Sequence, residues 1–120
     1  MTRLLLVSFV SLFLAGAASA QDMNMMGMDM FAAKEGDSAA TKGYKDAMLT
    51  MMNSSPAFTG EADVDFMKQM KVHHRAAIDM AKVLLANGKD AETRKVAEDV
   101  IKTNEAEIAT LQEWLKKQGQ

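Results

Sequence analysis

Two adjacent histidines and the methionines before them are the side chains of this sequence best suited to chemistry. His73 and His74 are the only histidines, cysteine is absent, and methionine occurs 12 times. Met70 lies about one helical turn before the two histidines, and Met67 lies about one turn before Met70. Thioether sulfur with imidazole suits Cu(I), whereas zinc sites are usually built from cysteine, histidine and carboxylate. These four residues therefore predict a copper site.

A second concentration of methionine lies nearer the N-terminus. Five of the eight residues in 23–30 are methionine, and the surrounding segment 21–40 has no sustained periodicity. We therefore predict a mobile tail, in which packing cannot explain the methionines. Tandem thioethers can wrap a Cu(I) or Ag(I) ion, although a sacrificial oxidant trap and neutral sequence drift are alternatives. The predicted ligands in the tail are Met23, Met25, Met26, Met28 and Met30.

The remaining methionines have a simpler interpretation. A methionine on the inner face of a helix more often fills a core than binds a metal. Met48, Met51 and Met52 are therefore predicted to give the first helix its apolar face. Met80 lies two turns beyond His73, roughly 10 Å along the axis, and is a further candidate ligand whose role stays open. A core histidine such as His74 also has an alternative as a hydrogen-bonded packing residue.

Three amphipathic helices are predicted to position these side chains. We place them at 41–53, 63–87 and 91–117, because apolar residues recur every three or four positions in each. Asp63 and Asp90 are the predicted N-caps of the second and third helices. The inward stripe of the second helix is predicted to contain Met67, Met70, His74, Ala77, Ala81 and Leu84, and that of the third Ala97, Ile101, Asn104, Ile108, Leu111 and Leu115.

The second and third helices are joined by about three residues, so they must pack antiparallel. Residues equally far from a turn centre at Lys89 then lie at the same height. His74 is predicted to lie opposite Asn104, and Met67 opposite Leu111. The Asn104 amide would hydrogen-bond the imidazole and orient it for a metal, and Glu107 is a second candidate for this supporting role.

Composition and motifs argue against catalysis and against nucleic acid as a partner. Di-iron sites in helical bundles need Glu-x-x-His pairs, but Met70 and Lys71 occupy the positions three residues before the histidines. No nucleophile motif and no phosphate-binding glycine loop is present. Without Arg3, 13 of the 14 basic residues remain against 16 acidic ones, which gives no basic footprint. We predict a binding protein rather than an enzyme.

The N-terminus predicts export. Residues 1–20 combine a basic Arg3, an apolar run and a small-residue cleavage site, as secretory signal peptides do. We expect a Met-rich tail at 21–40 and a bundle domain at 41–118, with no membrane anchor and a periplasmic location. Because cysteine is absent, the core must hold the fold without disulfides.

The runs DFMKQMKVHHRAAIDMA (65–81) and NEAEIATLQEWL (104–115) resemble the family catalogued as domain of unknown function 305. The pattern of that family is M-x-x-H-H-x-x-A-I-x-M-A followed by E-I-x-x-M-x-x-W-L. The matching positions are Met70, His73, His74, Ala77, Ile78, Met80 and Ala81 in the first half, and Glu107, Ile108, Trp114 and Leu115 in the second.

This resemblance implies an exported ferritin-like helical bundle, and some family members bind periplasmic copper and contribute to copper tolerance. The sequence departs from the pattern at Leu111, where the family has methionine, and at Asn104, where glutamine is common. We therefore expect a protein that sequesters Cu(I), or passes it to a partner protein. The alternative is a metal-free exported interaction module. Three helices also leave one side of a four-helix arrangement open, which a homodimer or the tail would close.

Overall fold

The computed structural model describes residues 27–120, and every regular element within them is helical. Three helices lie wholly inside this range: α1 (Ala39–Ser54), α2 (Ala62–Asn87) and α3 (Ala91–Lys117). Residues 27–30 are helical as well. The all-α prediction is confirmed, and the predicted helix ends differ from these bounds by at most two residues. The predicted signal peptide and residues 21–26 lie outside the described residues.

Side-chain caps fix where α1 and α3 begin. Ser38 accepts a hydrogen bond from the Thr41 N–H at 3.1 Å, so α1 starts two residues before its predicted position at 41. Asp90 accepts from the Thr93 N–H at 2.8 Å, which confirms the predicted cap of α3. This hydrogen bond holds the pKa of Asp90 below its usual range.

The predicted N-cap of α2 is wrong. Glu61 occupies the cap position and makes no side-chain cap bond. Asp65, inside the first turn, instead accepts hydrogen bonds from the Thr59 N–H at 2.7 Å, the Thr59 hydroxyl at 2.8 Å and the Gly60 N–H at 3.0 Å. These donors, the Thr59 N–H above all, lower the pKa of Asp65. Asp65 therefore ties the preceding loop to the helix by reaching backwards, rather than by capping.

α2 is the central helix, since it packs against both α1 and α3. Its buried residues form two groups: His74, Ile78 and Ala81 on one side, and Val72 and Ala76 on the other. Residues two positions apart on a helix point about 200° apart, so Val72 and Ala76 face away from His74. The described helices thus form a layer with α2 in the middle.

Both flanks of α2 between its two neighbours are open. Phe66, His73 and Met80 recur every seven residues, so they share one side; Phe66 is 61% and Met80 39% exposed. We call these three residues the apolar flank. The opposite side of α2 carries Lys68, Lys71 and Arg75, which we call the basic flank. The layer therefore presents two chemically different faces.

Glycine permits the close approach of α1 to α2. A Cβ atom added to Gly43 would lie 2.7 Å from the Cγ2 atom of Val83, which is too short for packed carbon atoms. Val83 lies nine residues beyond His74, about 180° round the helix, so it belongs to the α1 side of α2. This contact is consistent with the layer arrangement.

The connection between α2 and α3 is held from the α3 side. The Arg94 guanidinium donates to the carbonyl oxygens of Leu85 at 2.7 Å and Gly88 at 3.0 Å. Gly88 has a φ of −77°, so it does not need left-handed backbone, but an added Cβ would meet the Leu84 carbonyl oxygen at 2.8 Å. The turn thus needs glycine for space.

An ion pair fixes the segment before α1. The Lys45 ammonium group lies 2.7 Å from an Asp37 carboxylate oxygen and donates to the Ala32 carbonyl oxygen at 3.3 Å. The Lys45 hydrogen bond is the main reason why the pKa of Asp37 is lowered. Residues 32 and 37 are thereby linked to α1. None of the helices in residues 27–120 combines the length and apolarity needed to cross a membrane.

Candidate metal centre

His74 is the buried polar side chain of α2, 9% exposed, and it faces α3. Its Nε2 atom lies 2.6 Å from the Oε2 atom of Glu107. An ionised carboxylate can only accept a hydrogen bond, so Nε2 carries the hydrogen and donates it. Glu107 is itself on the edge of the interface, with 55% of its side chain exposed. The sequence predicted Glu107 for a supporting role, and the structure brings it into contact with the histidine.

The other ring nitrogen of His74 has no partner. Nδ1 is buried and makes no hydrogen bond within the described residues. With the hydrogen on Nε2, a neutral imidazole has its lone pair on Nδ1. Metal-binding histidines commonly donate their second N–H to a carboxylate, which orients the ring and raises its basicity. His74 therefore leaves Nδ1 as the ring nitrogen that could bind a metal ion.

The predicted hydrogen bond between Asn104 and His74 is wrong. The Asn104 side-chain amide donates to the Val100 carbonyl oxygen of its own helix at 2.8 Å. Equal Cα heights do not place two side chains in contact, because helical side chains tilt towards the N-terminus of their own helix. In an antiparallel pair of helices, the His74 side chain therefore points away from the α2–α3 turn, and side chains of α3 point towards that turn. The contact is therefore made by Glu107, one turn farther along α3.

The same offset changes the predicted environment of the methionines. His74 pairs with Glu107, and an equal offset places Met70, rather than Met67, level with Leu111. Leu111 is buried, and Met67 and Met70 are half-buried on the α3 side of α2. By this offset Leu111, where the resemblance implies methionine, lies level with Met70. Met70 remains one turn before both histidines.

His73 points away from the interface and is exposed on the apolar flank. Its ring centroid lies 6.2 Å from that of His74, with an angle of 66° between the ring planes. A metal bound to a ring nitrogen at about 2.0 Å lies about 3 Å from the ring centroid. The two rings are thus close enough that both imidazoles could hold one ion.

The other predicted ligands are not all brought to this point. Met80 lies on the exposed flank, Met28 is half-buried, and Met30 is 64% exposed. Met23, Met25 and Met26 lie outside the described residues. Within residues 27–120 no three histidine, aspartate or glutamate side chains are grouped so that they could hold a metal ion. The other candidate ligands near the histidines are the thioethers of Met67 and Met70, which lie on the α3 side of α2.

The fold and this site define a class: an antiparallel helical hairpin in which a buried histidine on one helix donates to a carboxylate on the other. Residues 63–120 match the family described as "Domain of unknown function (DUF305)". This half of the chain, which contains α2, α3 and the His74–Glu107 pair, belongs to that family, and the family prediction is confirmed. A comparison with curated proteins found no match.

Proposed function

We propose that this protein is an exported copper-binding protein that sequesters Cu(I) or passes it on by ligand exchange. The unpaired, buried Nδ1 atom of His74 carries the proposal, because Glu107 fixes the ring with its lone pair free. A packing histidine would be expected to satisfy both ring nitrogens. The arrangement therefore supports a ligand better than a core residue.

The ligand types favour Cu(I) over other metals. Met67 and Met70 share the α3 side of α2 with His74, and His73 provides a second imidazole. Neutral sulfur and nitrogen ligands suit a soft monovalent ion, and Ag(I) would be accepted for the same reason. In an exported chain, methionine has the further advantage that disulfide formation cannot consume it. Periplasmic copper buffering, and so copper tolerance, is the role we infer.

The methionines of residues 23–30 are proposed as additional ligands. The histidine pair supplies at most two nitrogen atoms to one ion, and the described residues add no acidic group that completes a site. Sulfur from Met28 or Met30, or from the methionines before them, would complete the coordination. The proposed centre is therefore shared between the hairpin and the N-terminal segment.

Anaerobic Cu(I) competition against a chromophoric chelator tests the proposal. We compare residues 21–120 with 31–120, which keeps the Ser38 cap and the Asp37–Lys45 ion pair, and with His73→Ala and His74→Ala. We expect each variant to bind Cu(I) more weakly, His74→Ala by more than about tenfold. Equal competition by all of them would show that the site is misassigned. Absence of binding at micromolar copper in residues 21–120 would refute the function.

A methionine pair provides a matched control. Met70→Leu and Met52→Leu remove the same sulfur atom from half-buried positions, but Met52 lies on α1. Leucine is close in volume, so both variants should fold. We expect Met70→Leu to weaken Cu(I) binding and Met52→Leu to leave it unchanged. The same loss in both variants would contradict a role for Met70 as a ligand.

The apolar flank supports a second candidate, a metal-free interaction module. Phe66 and Met80 are exposed on α2, and Val96 on α3 is 58% exposed. Apolar side chains in such a row are typical of a surface that binds another protein. This function predicts that Cu(I) leaves the thermal melting temperature unchanged, because only a ligand that prefers the native state raises it. A melting temperature that increases with Cu(I) would exclude the metal-free function.

A further inference from the structure

A groove of about 410 Å³ lies between α1 and α2, on the side of α2 opposite His74. Its floor is apolar and includes Ala47 of α1 together with Val72 and Ala76 of α2, all of them buried. Met51 of α1 also lines it. We call this the α1–α2 groove. Because Val72 and Ala76 point about 200° away from His74, the groove is separate from the candidate metal centre.

The rim of the groove is positively charged. All three residues of the basic flank line it, while Asp79 is its one acidic lining residue. In residues 27–120 none of the three cationic side chains lies within ion-pair distance of a carboxylate. The Lys68 ammonium group donates to the neutral Gln120 side-chain oxygen at 2.6 Å. The rim therefore has three cationic groups for one anionic group.

Two of these cations are half-buried, which distinguishes the rim from a fully solvated charged surface. Lys68 and Lys71 are partly covered, whereas Arg75 is exposed. A partly covered lysine commonly buries its aliphatic stem and keeps the ammonium group at the surface, so these two side chains add apolar lining next to the charge. Thr50 and Ser54 add hydroxyl groups on the α1 side. An anionic head group would thus meet both charge and hydrogen-bond donors.

The combination of floor and rim selects the class of ligand. An inorganic anion would use the rim and leave the apolar floor in water, and an uncharged apolar molecule would leave the lysines without a partner. Pockets for small molecules typically combine an apolar lining with a few polar groups that fix orientation. We propose that the α1–α2 groove binds a small amphipathic carboxylate, with its head group at Lys68, Lys71 and Arg75 and its apolar body over Met51, Val72 and Ala76.

Decanoate titrated into the ¹⁵N-labelled chain from Gln21 onward tests this proposal by NMR. We expect saturable shifts confined to the amides of residues 47–56 and 68–79. Acetate has the charge without the chain, and decanol has the chain without the charge, so both should bind at least about tenfold more weakly. Equal binding of decanol would refute the role of the cations, and equal binding of acetate would refute the role of the floor.

Variants separate the groove from general charge effects. Lys71→Gln with Arg75→Gln should weaken decanoate binding about tenfold, whereas Lys82→Gln with Lys102→Gln, an equal change of charge at exposed positions outside the groove, should not. Thr50→Trp fills the groove from an exposed position and should abolish binding without disturbing the core. Unchanged decanoate binding in Thr50→Trp would overturn the proposal.

The proposal does not depend on copper binding. His73 and His74 lie on other sides of α2 than the groove. His73→Ala and His74→Ala should therefore leave the decanoate affinity unchanged. Shifts that follow the histidine variants instead would place the ligand at the candidate metal centre and contradict the groove assignment.

Discussion

At the scale of single residues, the unpaired Nδ1 atom of His74 is the most informative feature. A buried nitrogen without a partner costs free energy that the fold must offset elsewhere. The cost is tolerated in a ring whose other nitrogen is held at 2.6 Å by Glu107. The His74–Glu107 contact therefore matters both for the stability of the fold and for the proposed metal binding. It fixes the ring, and it also determines which ring nitrogen is free.

We predict that Glu107→Ala destabilises the fold by about 1–3 kcal/mol, because both nitrogens of a buried imidazole then lack partners. Glu107→Gln should cost less, since its side-chain oxygen can still accept from Nε2. Urea unfolding measures both. Glu105→Ala, an exposed glutamate on the same helix, is the control and should change the free energy of unfolding little. A loss in Glu105→Ala as large as in Glu107→Ala would contradict the assignment.

The candidate site was predictable in its residue types but not in its contacts. The adjacency of His73 and His74 and the preceding Met70 are visible in the sequence, and Glu107 was a candidate because it flanks the inner stripe. Sequence spacing gives Cα heights, whereas contacts depend on where side chains point. The tilt towards the helix N-terminus moved the partner of His74 from Asn104 to Glu107.

At the scale of the helices, the loop before α2 is held by a carboxylate rather than by packing. Asp65 accepts three hydrogen bonds from Thr59 and Gly60, and these bonds favour its ionised form. Its pKa is accordingly lowered in the folded chain. The loop and the first turn of α2 should therefore respond to acid together.

Because the pKa of Asp65 is lowered in the folded chain, the direction of its effect on the free energy of unfolding in acid can be predicted. The carboxylate contributes its full stabilisation above the unfolded-state pKa, about 4, and loses it as the pH falls through the lower folded-state value. Asp65→Asn should therefore be less stable than the parent at pH 7 and should lose less stability between about pH 4 and 2. Urea titrations at several pH values measure this. A pH profile of Asp65→Asn that matches the parent would contradict the role of this carboxylate.

The approach of α1 to α2 permits a double-mutant test. Gly43→Ala alone should destabilise the fold by about 1–3 kcal/mol, since the new methyl group would overlap Val83. In a Val83→Ala background the clash is removed, and the same change should stabilise by up to about 1 kcal/mol through helix propensity. Thermal unfolding of the four proteins gives the cycle. Additive effects would show that the two side chains do not meet.

Helix positions were predictable within two residues, but the interfaces of α2 were only half predicted. A single inward stripe describes a helix with one neighbour, and the stripe through His74 and Ala81 matches the α3 side. Val72 and Ala76 belong to the second interface, with α1, and hence lie outside that stripe. Val72, Ala76 and Val83 recur at helical spacing and form a second apolar stripe, which an interpretation with a single stripe overlooks.

At the scale of the whole molecule, the described helices depend on one another unequally. Among the described helices, α2 packs against both neighbours, and the main contact of α1 with the hairpin is its interface with α2. Ala47 is the single buried residue of α1, whereas α2 has five buried residues. Regions with few buried contacts open locally at a lower free energy than the rest of a protein. α1 should therefore be the least protected of the three helices.

Native-state hydrogen exchange tests this ranking. We predict that α1 amides exchange faster than those of α2 and α3, and that Ala47→Asp, which buries a charge, accelerates exchange in α1 while leaving the middle of α3 protected. Ala39→Asp, at the exposed start of α1, is the control and should leave protection unchanged or slightly higher. Equal loss of protection in all three helices would show that the molecule unfolds as one unit.

The single-layer arrangement also determines how readily a ligand from solution can reach the side chains of α2. In this layer of the described helices, α2 has exposed residues on both uncovered sides, Phe66, His73 and Met80 on one and Arg75 on the other. Among the described helices, none covers the apolar flank beside His74. For the copper site proposed there, access of the ion would therefore be timed by rotamer changes of neighbouring side chains, which take picoseconds to nanoseconds where they are exposed, rather than by helix movements of microseconds or longer.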